Sequence, residues 1–272
     1  MSFTDTIDKY SLIIFFVLSY VITIIATLVI LITNSLFIPM MILSVFSPTI
    51  SAIIVSGFIG GWTEIKKLFK GYLKWKVNYK WYLAGFFLMI GPLIFTLFYH
   101  LFGGDSPGPV SGFTVLSFFG ILFLNLLIGP LSEEGGWRGF ALPKLESRYN
   151  ALVSSLILGI IWACWHLPYY FVEERMPFYI FVPLVLVISI LMTWGYNNTN
   201  GSLIITIIFH FSFNFNGRFI TGNLGLLPEM VFQIAGGVMI GIYVIVVVLY
   251  AGPEKLSRKL DSEMPFIKYT NR

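Results

Sequence analysis

Three short segments in the second half of the chain combine acidic, basic and amide side chains that can move protons or bind a metal. They are residues 132–138 (SEEGGWR), 162–166 (WACWH) and 210–214 (HFSFN). Each lies in or beside a long apolar run, where an ionisable group is costly unless it has a partner and a function. The three segments together therefore favour one polar site inside a membrane over three unrelated features.

The acidic segment contains two glutamates that a helix would point in different directions. Glu134 and Arg138 are four residues apart, so they share a helix face and can neutralise one another. Glu133 is rotated by about 100° from Glu134 in a helix of 3.6 residues per turn, which leaves it available for chemistry. Gly135 and Gly136 fit either a helix break or the close approach of another helix or a substrate. A solvated loop beyond the fourth span is the structural alternative for the whole segment.

The two histidine segments follow helical spacing. Trp162 and His166 lie one turn apart on the same face, as do His210 and Asn214. A single histidine in an apolar helix is more often a hydrogen-bonded core residue than a base or a ligand. Only their combination with the acidic segment favours a functional site.

The composition identifies lipid as the solvent for this chain. Of its 272 residues, 57% are hydrophobic and 11% are charged, against roughly 45–50% and about 25% in ordinary globular proteins. Apolar runs long enough to span hydrocarbon recur along the sequence. We therefore predict an all-α, polytopic helical bundle in the cell membrane.

The net charge of +4 does not predict a nucleic-acid partner, because the lysines adjoin apolar segments. The single Cys164 excludes an intramolecular disulfide framework.

The apolar runs and their Gly, Pro and charged breaks predict eight spans in one membrane domain over residues 1–272. A catalytic core is expected over 111–222 and a cytoplasmic tail over 251–272. The predicted spans are 11–33, 36–60, 81–101, 112–131 with an extension, 151–171, 178–196, 202–221 and 229–250.

The distribution of cations predicts the orientation, because Lys and Arg near span ends are retained on the cytoplasmic side. A loop between spans two and three is expected to carry Lys66, Lys67, Lys70, Lys74, Lys76 and Lys80. If this loop is cytoplasmic, 15 of the 17 Lys and Arg residues lie on or towards that side, leaving Arg175 and Arg218 towards the outside. Both termini are therefore predicted to be cytoplasmic.

The depth of Glu133 constrains the fourth span. If that helix ended at Leu131, Glu133 would lie at the inner surface, far from the histidines. We therefore predict that the helix continues to near Lys144 with a bend at Gly129 and Pro130. Glu133 would then lie roughly 17 Å from the inner end, at 1.5 Å per residue. By the same rise, a comparable depth of about 12–22 Å is expected for His166, His210 and Asn214.

The three segments resemble the motifs of the CPBP family, the CAAX protease and bacteriocin-processing peptidases, which include abortive-infection and Ras-converting-enzyme-like proteins. Residues 133–140 resemble the EExxxR motif with its Arg-Gly-aromatic continuation. Residues 162–166 resemble FxxxH, with Trp162 keeping an aromatic wall in place of Phe, and residues 210–214 match HxxxN. The resemblance implies about eight helices around a hydrophilic cavity that opens towards the cytoplasm. It also implies hydrolysis of a peptide bond in a membrane-associated peptide or protein.

The resemblance also implies a role for each matching residue. Glu133 would be the general base, Glu134 and Arg138 its supporting pair, and the remaining site groups would be His166, His210 and Asn214. A divalent metal such as zinc is one expectation, with ligands Glu133, His166 and His210 from separate helices, since the HExxH pattern is absent. In the metal-free alternative, Glu133 with His166 would deprotonate water while His210 and Asn214 donate to the oxyanion.

Two other classes of function stay open at this point. The chain could be a non-catalytic bacteriocin-immunity or peptide-binding protein that keeps the family scaffold. It could also be a transporter, although the corresponding interrupted helices expected in two related halves are not visible. A serine hydrolase is disfavoured, because the sequence has no GxSxG elbow.

Overall fold

The computed structural model describes residues 3–33, 36–172 and 176–264, and within this part of the chain the fold is all-α, as predicted. The predicted tail is described as far as residue 264. Arg175 and residues 265–272 lie outside the described residues. The α-helices of the described part are α1 (Phe3–Thr33), α2 (Phe37–Lys70), α3 (Tyr79–Leu101), α4 (Val115–Leu126), α5 (Ser132–Gly136), α6 (Leu142–Glu146), α7 (Ala151–Trp165), α8 (Phe178–Asn198), α9 (Leu203–Phe215) and α10 (Glu229–Ala251).

Eight helical stretches of the described residues are long and apolar enough to cross a membrane. The prediction of a multi-pass membrane protein is therefore confirmed. Large apolar side chains such as Ile25, Leu97 and Leu249 are exposed on the outer faces of α1, α3 and α10, as expected for helices in contact with lipid. The eight stretches are Thr6–Thr33, Phe37–Leu73, Tyr79–Leu101, Val115–Glu146, Ala151–Phe171, Phe178–Asn198, Leu203–Asn223 and Glu229–Ala251.

The fourth span continues beyond Leu131, as the depth of Glu133 required. It runs from Val115 to Glu146 through α4, α5 and α6, which are joined by single π-helical segments. The helical path breaks at Ile128 (φ −92°, ψ 102°) and Gly129 (φ 108°, ψ −85°). The predicted bend is therefore present. Gly129 has a positive φ, which glycine adopts readily and which would be strained in a residue with a side chain.

The break in the fourth span is stabilised by hydroxyl groups of the second span. Pro130 has no N–H to donate, so the helical ladder is interrupted there. Tyr72 donates its hydroxyl to the Leu131 carbonyl at 3.0 Å, and Thr49 donates to the Ser132 carbonyl at 2.6 Å. Irregular backbone at membrane depth is tolerated where protein groups satisfy it in this way.

The expected loop between spans two and three is partly helical, so that expectation was wrong in its first half. Helix α2 continues to Lys70 after a kink at Gly60 (φ −155°) and Gly61 (φ 58°), and the predicted end at residue 60 marks only the kink. After the kink, Leu68 is buried while Lys67 and Lys70 are exposed, so an amphipathic helix with a lysine-rich face replaces the loop.

Candidate active site

Helix α5 carries both glutamates of the acidic segment and packs closely against α2. A Cβ atom on Gly135 would lie 2.6 Å from the Tyr72 hydroxyl and 2.7 Å from Thr49 Oγ1. A Cβ atom on Gly136 would lie 2.5 Å from the Pro48 carbonyl oxygen. Of the two interpretations of this glycine pair, the structure therefore supports the close approach of another helix.

Glu134 is fully buried and joins two other residues of the predicted site. Its Oε1 accepts a hydrogen bond from Arg138 Nη1 at 3.2 Å, which is the pair predicted from the spacing. The same oxygen lies 2.8 Å from His210 Nδ1. Because an ionised carboxylate can only accept, His210 donates from Nδ1. Glu134 thus fixes the orientation of His210.

Glu133 is held by Trp162. The carboxyl oxygen Oε2 accepts a hydrogen bond from the indole Nε1–H at 2.7 Å, and Glu133 is only 4% exposed. The indole ring also contacts the Arg138 guanidinium, 4.5 Å from its centroid, and packs edge-on against His210. The sequence interpretation treated Trp162 as an aromatic wall and missed its donor role. The available signal was the replacement of Phe by Trp, which adds an N–H.

His166 lies at the C-terminal end of α7, next to the ring of Trp162. Its Nδ1 is 2.8 Å from the Trp162 carbonyl oxygen, and a carbonyl can only accept, so Nδ1 carries the proton. The ring packs edge-on against Phe181 and Trp165, which fixes its plane.

The break in the fourth span brings bare backbone next to His210 and Asn214. A Cβ atom on Gly129 would lie 3.2 Å from Asn214 Nδ2 and 3.3 Å from His210 Nε2. Gly129 was expected only as a bend, and its contribution to the site was missed. Its lack of a side chain leaves space beside the two polar nitrogens.

One cavity of about 590 Å³ connects these groups. Four predicted site residues line it, while Glu134 and Arg138 lie behind them in the protein interior. We refer to this space as the site cavity. The four lining residues are Glu133, His166, His210 and Asn214.

Glu133, His166 and His210 are the three expected ligands of a divalent metal. Each of Glu133, His166 and His210 uses one polar atom in a hydrogen bond within the protein. Histidine ligands commonly donate their second N–H in this way. However, the described part of the chain contains no group of three His, Cys, Asp or Glu residues that could hold a metal ion. In this arrangement the three residues therefore do not form a ligand set.

Two comparisons relate the chain to known proteins. The sequence model of the family described as type II CAAX prenyl endopeptidase Rce1-like matches residues 115–216, a segment that includes all six predicted site residues. The chain is also 34% identical over 154 residues to a protein named CAAX prenyl protease 2 from Methanococcus maripaludis. That alignment covers 52% of this chain and 56% of the relative, so the chain spans about half the length of the curated relative that it matches.

Proposed function

We propose that the chain is an intramembrane endopeptidase of the Rce1-like CAAX prenyl endopeptidase family, whose model matches residues 115–216. Its substrate is a membrane-associated peptide or protein. The observation that carries the proposal is the position of Glu133. Its carboxyl group is buried at the wall of the site cavity and is oriented by the indole N–H of Trp162.

In the proposed reaction, Glu133 acts as the general base. The carboxylate accepts a proton from a water molecule, and the water oxygen bonds to the scissile carbonyl carbon. The C–N bond then breaks, and the proton held by Glu133 passes to the leaving amine. Positioned proton transfer of this kind typically contributes a factor of about 10²–10⁴ to the rate. His166 borders the same cavity and would help to orient the water.

Asn214 and His210 are the proposed donors to the oxyanion. Asn214 provides an amide N–H beside the bare backbone of Gly129. His210 can donate from Nε2 when its ring carries both protons, with Nδ1–H held by Glu134. Donors aimed at developing charge in a site that excludes water are among the strongest catalytic interactions. Arg138 supports this pair indirectly, through Glu134.

The proposal is tested by Glu133→Gln, which keeps the size of the side chain and removes its basicity. The matched control is Glu146→Gln, since Glu146 is also buried on the fourth span but bonds Asn197 and does not line the site cavity. The purified variants are assayed with a prenylated peptide ending in a CAAX sequence and with membrane-inserted leader peptides. We expect a loss of about 10²–10⁴ in kcat for Glu133→Gln and near-parental cleavage for Glu146→Gln. Parental cleavage by Glu133→Gln would refute the proposal.

The expected divalent metal, such as zinc, is tested on the same preparations. Metal analysis of the parent beside His166→Ala and His210→Ala distinguishes the two forms of the mechanism. The donor set described above supports the metal-free form, which predicts cleavage without stoichiometric metal. Metal present in the parent and lost in both variants would favour a metallopeptidase.

The alternative of a peptide-binding or immunity protein makes a different prediction for the same variant. A protein that only sequesters a peptide would keep its phenotype in Glu133→Gln, because the change preserves the shape of the cavity wall. A transporter would instead show substrate flux in proteoliposomes that depends on the site residues.

A further inference from the structure

A second cavity lies in the bundle apart from the site cavity. Its volume is about 380 Å³, and its lining includes Lys67, Lys74 and Lys144. We refer to it as the lysine cavity. The two cavities have no lining residue in common.

The order of lining residues along three helices shows that the cavities lie at opposite ends of the bundle. On α2, residues 37–46 border the site cavity and residues 56–68 border the lysine cavity. Helix α8 lines the site cavity with Phe181 and Val185 near its start and the lysine cavity with Tyr196 near its end. Helix α9 runs the other way, from Leu203 at the lysine cavity to His210 at the site cavity.

A buried layer of the fourth span separates the two cavities. Glu133 borders the site cavity and Gly139 borders the lysine cavity. Between them, Glu134, Trp137 and Arg138 are all fully buried. The site groups are therefore reached from the end of the bundle away from the lysine cavity.

The end with the lysine cavity also gathers both ends of the described chain. Near the N-terminus, Asp8 pairs with Lys144 at 3.5 Å. After the last span, the carbonyl of Glu254 accepts from the amide of Ala151 at 2.9 Å. Burial lowers the pKa of Lys74, and the nearby charge of Lys70 lowers it further.

At the opposite end, cations are scarce. Among the Lys and Arg side chains that the structure describes, only Arg218 lies at the end where the site cavity opens. A strong excess of Lys and Arg at one end of the spans is the signature of the cytoplasmic side.

We infer that the site cavity opens away from the cytoplasm, and that it receives a polypeptide segment presented from the extracytoplasmic half of the membrane. The nature of this occupant rests on the proposed peptidase function, but the side of access does not. The inference opposes the expectation, drawn from the family resemblance, of a cavity open to the cytoplasm.

The rim of the site cavity indicates the chemistry of that segment. Among the residues of α2 and α4 that line the cavity, Ile38 is 70% exposed, and Phe37, Ile42 and Leu124 are also exposed. A rim with such side chains suits an apolar stretch of substrate. The volume of about 590 Å³ falls in the range of roughly 300–1,000 Å³ of ligand sites, which is enough for a few residues around the scissile bond.

The side of access is tested by cysteine labelling, because the chain has only one cysteine to remove. In a Cys164→Ser background, single cysteines are introduced by Asp105→Cys, in the exposed loop that precedes α4, and by Ile38→Cys at the cavity rim. Lys76→Cys, in the exposed segment after α2, is the matched control for the opposite end. Each variant is treated with a membrane-impermeant maleimide in right-side-out and in inside-out vesicles.

We expect Asp105→Cys and Ile38→Cys to be labelled in right-side-out vesicles and Lys76→Cys only in inside-out vesicles. The reverse pattern would overturn the inference. An Ile38→Cys that reacts from neither side would also overturn it, since water would then not reach the cavity from that end. Labelling does not depend on cleavage, so a negative result with Glu133→Gln and a negative result here are distinguishable.

Discussion

The two halves of the fourth span belong to one membrane crossing but pack in opposite ways. In the apolar half, α4, only Asn125 is buried, and Leu116 is 82% exposed. In the charged half, residues 132–146, every residue of α5 is buried, and Arg138 is completely inaccessible. The change occurs at the break around Gly129.

This difference shows how a membrane protein can carry two glutamates and an arginine at depth. Charged groups are excluded from lipid, but they are tolerated in the interior of a bundle where they pair with one another. The charged half is surrounded by α2, α7 and α9, so protein replaces lipid around it. The apolar half faces lipid and supplies part of the cavity lining through Leu124. The break at Gly129 allows each half to have its own surroundings.

The largest effect is expected from removing the cation of the charged half. Arg138→Ala leaves the fully buried Glu134 without its ion-pair partner, and removing one member of a buried pair costs about 3–5 kcal/mol. Arg148→Ala is the matched control, because Arg148 is exposed, and surface substitutions stay within about 0.5 kcal/mol. The measurement is the free energy of unfolding in detergent.

A second substitution sharpens this result. Adding Glu134→Gln to Arg138→Ala should recover part of the lost stability, because it removes the buried carboxylate that had lost its guanidinium partner. Equal stability of Arg138→Ala and Arg148→Ala would show that the charged half does not depend on its internal pairing, and the contrast between the halves would fail.

The next effect concerns chemistry rather than packing. Trp162→Phe keeps the aromatic ring and removes the hydrogen bond to Glu133. We expect kcat to fall roughly 10- to 100-fold with little change in KM, because a hydrogen bond to a charged group contributes about 1.5–3 kcal/mol.

The control for this change is Trp165→Phe on the same helix. The indole N–H of Trp165 bonds Thr23 and Ser47 rather than a carboxylate, so its loss should affect stability more than kcat. The comparison is made by steady-state kinetics on both purified variants. Similar kcat values for the two variants would mean that Trp162 does not position Glu133.

Local spacing predicted the elements of this site but not their tertiary contacts. The pair of Glu134 and Arg138 lies within one helical turn, so the sequence alone indicated it. The extension of the fourth span followed from the requirement that Glu133 and the histidines lie at one depth. By contrast, the bond between Glu134 and His210 joins residues 76 positions apart, and no helical periodicity reports on it.

In the second span, too, the sequence indicated local features but not the tertiary contacts. Its kink at Gly60 and Gly61 was mistaken for an end, because two glycines and the following charges also fit a loop. Thr49 and Tyr72 satisfy carbonyl groups of another span, and only the packing of the two spans reveals that role. A polar side chain in an apolar run indicated that a partner exists without identifying it.

The smallest effect is expected from replacing one glycine with alanine in each half of the fourth span. This pair of substitutions also compares the two halves most directly. Gly136→Ala would place a Cβ atom against the Pro48 carbonyl, so α2 or α5 must shift, and such overpacking costs about 1–3 kcal/mol. Gly120→Ala, on α4, meets no atom within 4 Å. Because Gly is less favourable than Ala inside a helix by roughly 0.5–1 kcal/mol, we expect Gly120→Ala to be neutral or slightly stabilising. Thermal unfolding in detergent measures both, and changes of the same sign and size would contradict the view that only the charged half is packed as protein interior.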